Sequence, residues 1–246
     1  MTARLRLVLF LAGAAGVAAL LVWGLAGLPD FGHYAGPYGD ILVKVAKPQR
    51  NVANVVTGIV FDYRGFDTLG EELILLGAVV GTSLLLRETR EHDVGDVVDP
   101  VTSDAVRALT LVTVPAAFVL ALYVIAHGHL TPGGGFQGGV VASAAFACAF
   151  LGAEYRAFHV LGHAKPWDAV EGVGAAGFVA LGLLSLALGL AFLENFLPLG
   201  TYGRLTSAGS IPVVNGAASL AVAGGFVLIY GEFLQESMAL RHGKAP

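Results

Sequence analysis

The long apolar runs constrain this chain more than any other feature. Leu7 to Leu28 and "IPVVNGAASLAVAGGFVLIY" carry no charged residue over the roughly 20 residues a helix needs to cross hydrocarbon. Inside lipid every backbone N–H and C=O must be paired within its own segment, which leaves helices or a closed barrel. The alternating pattern of barrel strands is missing. The chain therefore reads as an all-α integral membrane protein, and its 56% hydrophobic and 13% charged residues and mean hydropathy of +0.74 agree.

About six transmembrane helices are expected, over residues 5–28, 68–87, 105–127, 135–153, 170–193 and 211–235. The first follows Arg4 and Arg6, the charge pattern of a signal peptide as well as of a first span. It exceeds a signal h-region and lacks an A-x-A site before Pro29, so it reads as a retained helix. Residues 51–63, "NVANVVTGIVFDY", are short for a span. Val52, Val55, Val56, Ile59 and Val60 recur on one helical face there, with Asn51, Asn54 and Thr57 largely off it. That pattern predicts one short interfacial or re-entrant helix.

With the N-terminus inside, most of the 14 Lys and Arg residues flank the cytoplasmic ends of the spans. A seven-span arrangement that counts 51–63 satisfies the bias as well, and both orient residues 68–246 identically. The expectation is a multi-pass protein of a prokaryotic cell (inner) membrane with cytoplasmic N- and C-termini. The polar stretch "LRETREHDVGDVVDPVTSD" divides the chain into a two-helix module (1–90), a linker (91–104) and a four-helix module (105–246).

Several function classes fall away. The net charge of −4 comes without a single-sign run, so no nucleic-acid surface is expected. Cys148 is the lone cysteine, and no Cys/His set has zinc spacing. "HGHLTPGGGFQGGVV" concentrates histidine and glycine, yet it lacks the lysine and the order of a nucleotide P-loop. No Ser/His/Asp order, G-x-S-x-G, dinucleotide fingerprint or haem or iron-sulfur cysteine set is present. Neither a stand-alone enzyme nor a metal or other cofactor is expected.

What remains is polar groups placed where lipid makes them expensive. In "FDYRGFDTLGEELILL", Thr68 and Glu71 have capping-box spacing, and Asp67 or Glu72 would suit the positive end of a helix. Neighbouring helical residues point about 100° apart, so Glu71 and Glu72 cannot both serve one cap. One carboxylate, with Asp62, Arg64 and Asp67 nearby, is left for another role, either interfacial solvation or an ion or proton path. His127 and His129 close the third span and read as interfacial hydrogen-bonders rather than a metal pair. Pro132, Gly133, Gly134, Gly135 and Gln137 read as tight packing at a helix entrance. Glu194 and Asn215 are secondary candidates that most simply bond neighbouring helices. Glu232 and Glu236 share a face, with solvation as their default explanation. Lys44 and Lys47 read as loop residues.

Three separated motifs, "HGHLTPGGGFQGGVVASAAF", "FLENFLPLG" and "LTSAGSIPVVNGAASLAVAGGFVLIYGEFL", closely resemble the B-type component (MrpB/MnhB) of multisubunit Mrp-type Na⁺/H⁺ antiporters over about residues 100–240. "NVANVVTGIVFDYRGFDTLGEELILLGAVVG" resembles the C-terminal segment of the A-type component (MrpA), which is a separate MbhE-like protein in related membrane-bound hydrogenases. Asp62, Arg64, Gly65, Asp67, Thr68, Gly70 and Glu71 match that segment's core. Glu72 stands where the family commonly has an apolar residue, so the resemblance favours Glu71 for any shared role. It implies an accessory antiporter subunit that works with A-, C-, D-, E-, F- and G-like partners, with Na⁺ and H⁺ as the transported ions. Membership of a hydrogenase-like redox complex and a purely structural scaffold are the alternatives.

Overall fold

The structure, a computed structural model, describes residues 3–28, 32, 36–86, 103–161 and 164–241, without the side chains of 3, 151, 153–165, 235 and 237–241. Most of the expected linker thus lies outside the described residues. The chain forms two compact units, 1–41 and 42–246. The first contains α1 (Ala3–Ala26), whose sequence beyond Arg6 is apolar on every face. Helix α2 (Pro37–Arg50) begins in the first unit and ends in the second. Lys44 and Lys47 lie on this helix, not in a loop as expected.

The second unit is helical throughout its described elements. A short α3 (Val55–Gly58) continues as a π-helical turn, Ile59–Tyr63. Then come α4 (Gly65–Leu85), α5 (Asp104–Ala126), α6 (Gly135–Leu161), α7 (Ala164–Ala187) and α8 (Ile211–Arg241). Helix α8 is central: α4, α6 and α7 pack along it, and α5 packs chiefly on α6. Helices α1, α4, α5, α7 and α8 are long and apolar enough to cross a membrane, and α6 contributes the shorter apolar stretch Gly135–Phe150. The fold is that of a multi-pass all-α membrane protein. The apolar outer faces of α4 and α5, with Leu73, Ile74, Leu111 and Val119, are exposed on the chain and suited to lipid or partner subunits.

Local chemistry sets the helix ends. Ser103 Oγ accepts from Val106 N–H and caps α5. Helix α7 stops earlier than the expected residue 193: Gly189 takes φ +80°, and Leu190 N–H closes onto Ser185 C=O at 3.0 Å. Helix α4 begins at Gly65, one turn before Thr68. The expected capping box is therefore absent, and Thr68 Oγ1 instead donates to Val60 C=O at 2.6 Å, bonding the π turn to α4.

The segment 51–63 also departs from its expected pattern. Val52 is buried but precedes α3, and Val56 is exposed, while Thr57, Gly58 and Phe61 are buried. The π turn widens the helical repeat, so the 3.6-residue face drawn from the sequence does not hold. Polar contacts decide the orientation. Asn54 Nδ2 donates to Gly128 C=O and Thr131 C=O at 2.8 and 2.9 Å, and Thr57 Oγ1 donates to Gly128 C=O at 2.7 Å. The N–H groups of Ala53 and Asn54 both reach His129 C=O.

Those bonds hold the glycine-rich turn from one side, and Asn215 holds it from the other. Asn215 is fully buried near the start of α8. Its Oδ1 accepts from Gly135 N–H at 2.5 Å and its Nδ2 donates to Ile125 C=O at 2.8 Å. One side chain therefore joins the end of α5 to the start of α6. Gly133 and Gly134 adopt φ +140° and +151°, and a Cβ on Gly135 would collide with the backbone oxygen of Asn215. The turn needs glycine for conformation and for close approach. An apolar cluster of Val52, Phe61, Phe178, Leu193, Ile211 and Val214 fills the same end of the bundle.

Replacing Asn215 with alanine leaves a buried donor and a buried acceptor unpaired. The expected cost is about 2–3 kcal/mol, read as a lower midpoint for heat-induced loss of the monodisperse peak in detergent. His129, also in this turn, gives a pH signature. Burial lowers its pKa below the ordinary 6.5, against the carbonyls of Arg204 and Leu205, which favour the proton. The unfolded chain then binds a proton that the folded one refuses as pH falls below about 6.5, so stability falls over that window. Comparing thermal midpoints across that window, His129→Gln should flatten the slope.

Candidate functional site

The conspicuous cluster at the start of α4 separates into two parts. Asp62, on the π turn, points inward: its side chain is 2% exposed and pairs with Arg50 at the end of α2. Asp62 Oδ1 also accepts from Asn195 N–H at 3.0 Å. Arg64 and Asp67 form a separate exposed pair, of the kind that adds little stability. The sequence groups Asp62, Arg64 and Asp67 together, whereas the structure brings Asp62 to Arg50 and Asn195.

Asn195 organises the loop between α7 and α8. Its Nδ2 donates to Ala208 C=O at 2.8 Å, and its Oδ1 accepts from Ser210 N–H at 2.9 Å. Glu194 beside it accepts from Ala191 N–H at 2.9 Å. Burial pushes the Asp62 carboxyl above its ordinary range, while Arg50 and the Asn195 N–H oppose that rise and the Glu194 charge adds to it. Arg50 also lies 5.2 Å from the Tyr63 ring, whose hydroxyl donates to Gln49 Oε1 at 2.8 Å. The end of α2 thus closes over the π turn.

Helix α4 carries the adjacent glutamates on different faces. Glu71 is exposed on the chain, and Glu72 is 3% exposed with neither carboxylate oxygen hydrogen-bonded. Glu72 faces α7, where Glu171 is 6% exposed, Glu171 Oε1 has no hydrogen-bond partner, and the two charges interact. Helix α8 makes room for them. A Cβ on Gly224 would stand 2.6 Å from Glu171 N, and one on Gly225 would meet Glu171 Oε1, Val79 and Leu75 at 3.1–3.3 Å. The three helices α4, α7 and α8 therefore meet at Gly225.

Sequence reasoning missed Glu171. In a span drawn from residue 170 it sits at the interface, whereas α7 begins at Ala164 and places it about two turns inside. Glu232 corrects another expectation. It is 4% exposed rather than solvated, and it accepts from Ser83 Oγ of α4 at 3.0 Å. Glu236, one turn on, has a buried Oε2 with no hydrogen-bond partner.

The remaining candidates are structural in their contacts. His127 stacks on Tyr123 with ring centroids 4.2 Å apart, and its Nδ1 lies 3.0 Å from Tyr123 C=O. His129 is fully buried, with Nε2 3.4 Å from Arg204 C=O. Pro132 and Gln137 are exposed, while Gly134 and Gly135 are buried in the turn held by Asn215.

Comparisons with known proteins agree with this architecture. A relative in Methanocaldococcus jannaschii, uncharacterised, is 31% identical over 197 residues, covering 71% of this chain and 74% of the relative. A Rhizobium meliloti protein, named as a probable K⁺/H⁺ antiporter component of combined A/B type, is 28% identical over 213 residues; the match takes in 77% of this chain but 20% of that protein. Among solved structures, a chain of the membrane-bound sulfane sulfur reductase, an archaeal respiratory membrane complex, superposes with TM-score 0.68 and 29% identity over 94% of this chain and 98% of that one. The Mrp complex of Dietzia sp. DQ12-45-1b shares the fold, with TM-score 0.64 and 24% identity over 94% of this chain and 26% of the matched chain. The family model described as "Domain related to MnhB subunit of Na+/H+ antiporter" matches residues 105–228. With that match spanning half of its length, the chain belongs to the family of domains related to the MnhB subunit of Na⁺/H⁺ antiporters.

Proposed function

We propose that this protein is an accessory membrane subunit of a multisubunit cation/proton antiporter, in which it joins an A-type module (1–90) to a B-type module (105–246) and lines part of the ion passage. The family match over residues 105–228 carries this reading. The combined A/B designation of the rhizobial relative, aligned over most of this chain, supports the joining of the two modules. The grip of Asn54 and Thr57 on the turn at Gly128 gives it a physical basis.

Glu71 supports the presence of partners. A carboxylate about two turns into a spanning helix is costly against lipid, and Glu71 is exposed on the chain. A-, C-, D-, E-, F- and G-type neighbours of the antiporter would cover it and receive or deliver its ion. The exchanged ions are Na⁺ and H⁺ in this proposal, and the K⁺/H⁺ name of the rhizobial relative makes K⁺ the comparison cation. The complex sits in a prokaryotic cell membrane, with both termini cytoplasmic and the Asn215 turn at the outer face. Its chemistry is transport, with no cofactor held by this chain.

A second reading is favoured by the sulfane sulfur reductase complex, one chain of which corresponds to this protein almost end to end. There the protein would belong to the membrane arm of a redox complex. Identifying by mass the proteins that purify with it separates the two: antiporter-type membrane components alone support exchange, and an iron-sulfur or nickel-iron component supports the redox assembly.

Two variants test finer points. Glu71→Gln should lower Na⁺-driven proton flux in everted vesicles by about tenfold or more, equivalent to about 1.4 kcal/mol, with the complex still assembled; loss of assembly would make Glu71 structural. Thr201, exposed in the loop before α8, tests orientation. Thr201→Cys should react with an impermeant maleimide in intact cells, and reaction only after permeabilisation would reverse the topology.

A further inference from the structure

Glu72 and Glu171 are buried by this chain's own helices, not by lipid or partners. Each is more than nine-tenths buried; Glu72 has two unpartnered oxygens and Glu171 has one. Neither joins a salt bridge among the described residues. The charges that act on Glu72 come from Glu71 on its own helix and Glu171 on α7, and Glu171 is influenced by Asp168. Helix α8 presents Gly224 and Gly225 there, and its nearest acid on this face, Glu232, lies two turns further on beside Ser83.

Two like charges in a region of low dielectric cannot both persist without a counter-charge. Among the described residues, no group of three or more His, Cys, Asp or Glu is placed to hold a metal ion. A proton needs only two carboxyls brought close between the helices, and it converts their repulsion into a charge-assisted hydrogen bond; Glu171 reaches the face of α4 that carries Leu75 and Val79, one and two turns from Glu72. The glycines of α8 let α7 approach closely and seat Glu171 in the interior. Glu232 and Glu236 continue an acidic line along α8, away from the Asp62 end of the bundle.

We propose that Glu72 and Glu171 form a shared-proton site between α4, α7 and α8, a relay station that holds one proton between the two carboxyls and passes it along the acidic face of α8. This rests on the antiporter reading, and it departs from the family-shared Glu71 by assigning the proton to the pair that this chain buries internally.

The test is carbodiimide labelling of the intact complex in native membranes, because dicyclohexylcarbodiimide reacts with protonated carboxyls in apolar surroundings. Peptide mass analysis should find the adduct on Glu72 or Glu171 at neutral pH, and labelling should fall as pH is raised. Glu72→Gln and Glu171→Gln should each lower proton flux about tenfold or more while the complex still assembles. No adduct on either residue at any pH overturns the shared proton. An adduct together with undiminished flux in both assembled variants overturns the relay. If a variant fails to assemble, labelling of the wild-type complex and its pH dependence still decide whether the proton is there. A wild-type complex that labels at the pair yet exchanges no Na⁺ or K⁺ for protons rejects the antiporter reading and leaves the proton site standing.

Discussion

Asn215 and Asn54 hold the same turn from opposite sides, and the rest of the bundle depends on that clasp. Apolar surfaces associate weakly within lipid, because the tails offer equivalent contacts, so helix register relies on close packing and hydrogen bonds. Asn215 bonds Gly135 N–H and Ile125 C=O, which places α5 and α6 against the start of α8. Asn54 and Thr57 satisfy carbonyls of the same turn. The second unit therefore has an ordered end at which Phe61, Phe178 and Ile211 form a core, and α4, α7 and α8 meet further along at Gly225.

The clasp explains why the polar groups divide as they do. With segment 51–63 pinned to the turn, Asp62 is directed toward Arg50 and Asn195, leaving Arg64 and Asp67 at the surface. Helix α4 then starts at Gly65, against Leu193, and presents Glu72 to the interior and Glu71 outward. One carboxylate is exposed on the chain and the other is enclosed by its own helices.

The helical fold and its spans were legible because lipid imposes long apolar runs. The glycine-rich turn was legible as packing because it lacks lysine and P-loop order, and its glycines do adopt positive φ or admit a close backbone. The site was less legible. Thr68 has capping-box spacing with Glu71, but the π turn moves the helix start to Gly65 and gives Thr68 another acceptor. Glu171 was hidden by a span drawn from residue 170, since hydropathy marks the apolar stretch and not the polar first turns of α7. Glu232 looked solvated because its partner, Ser83, lies 149 residues away in sequence. Pairings of that kind arise from tertiary packing and have no local signature.

Membership of an antiporter-subunit family and a self-contained acidic interior lead to one central claim: ion exchange by the complex requires this chain. The direct measurement is proton flux after a NaCl or KCl pulse in proteoliposomes made from the complex purified with and without it. The account predicts cation-driven flux only when the chain is present and restored when it is added back. Equal flux from the complex lacking it would contradict that claim.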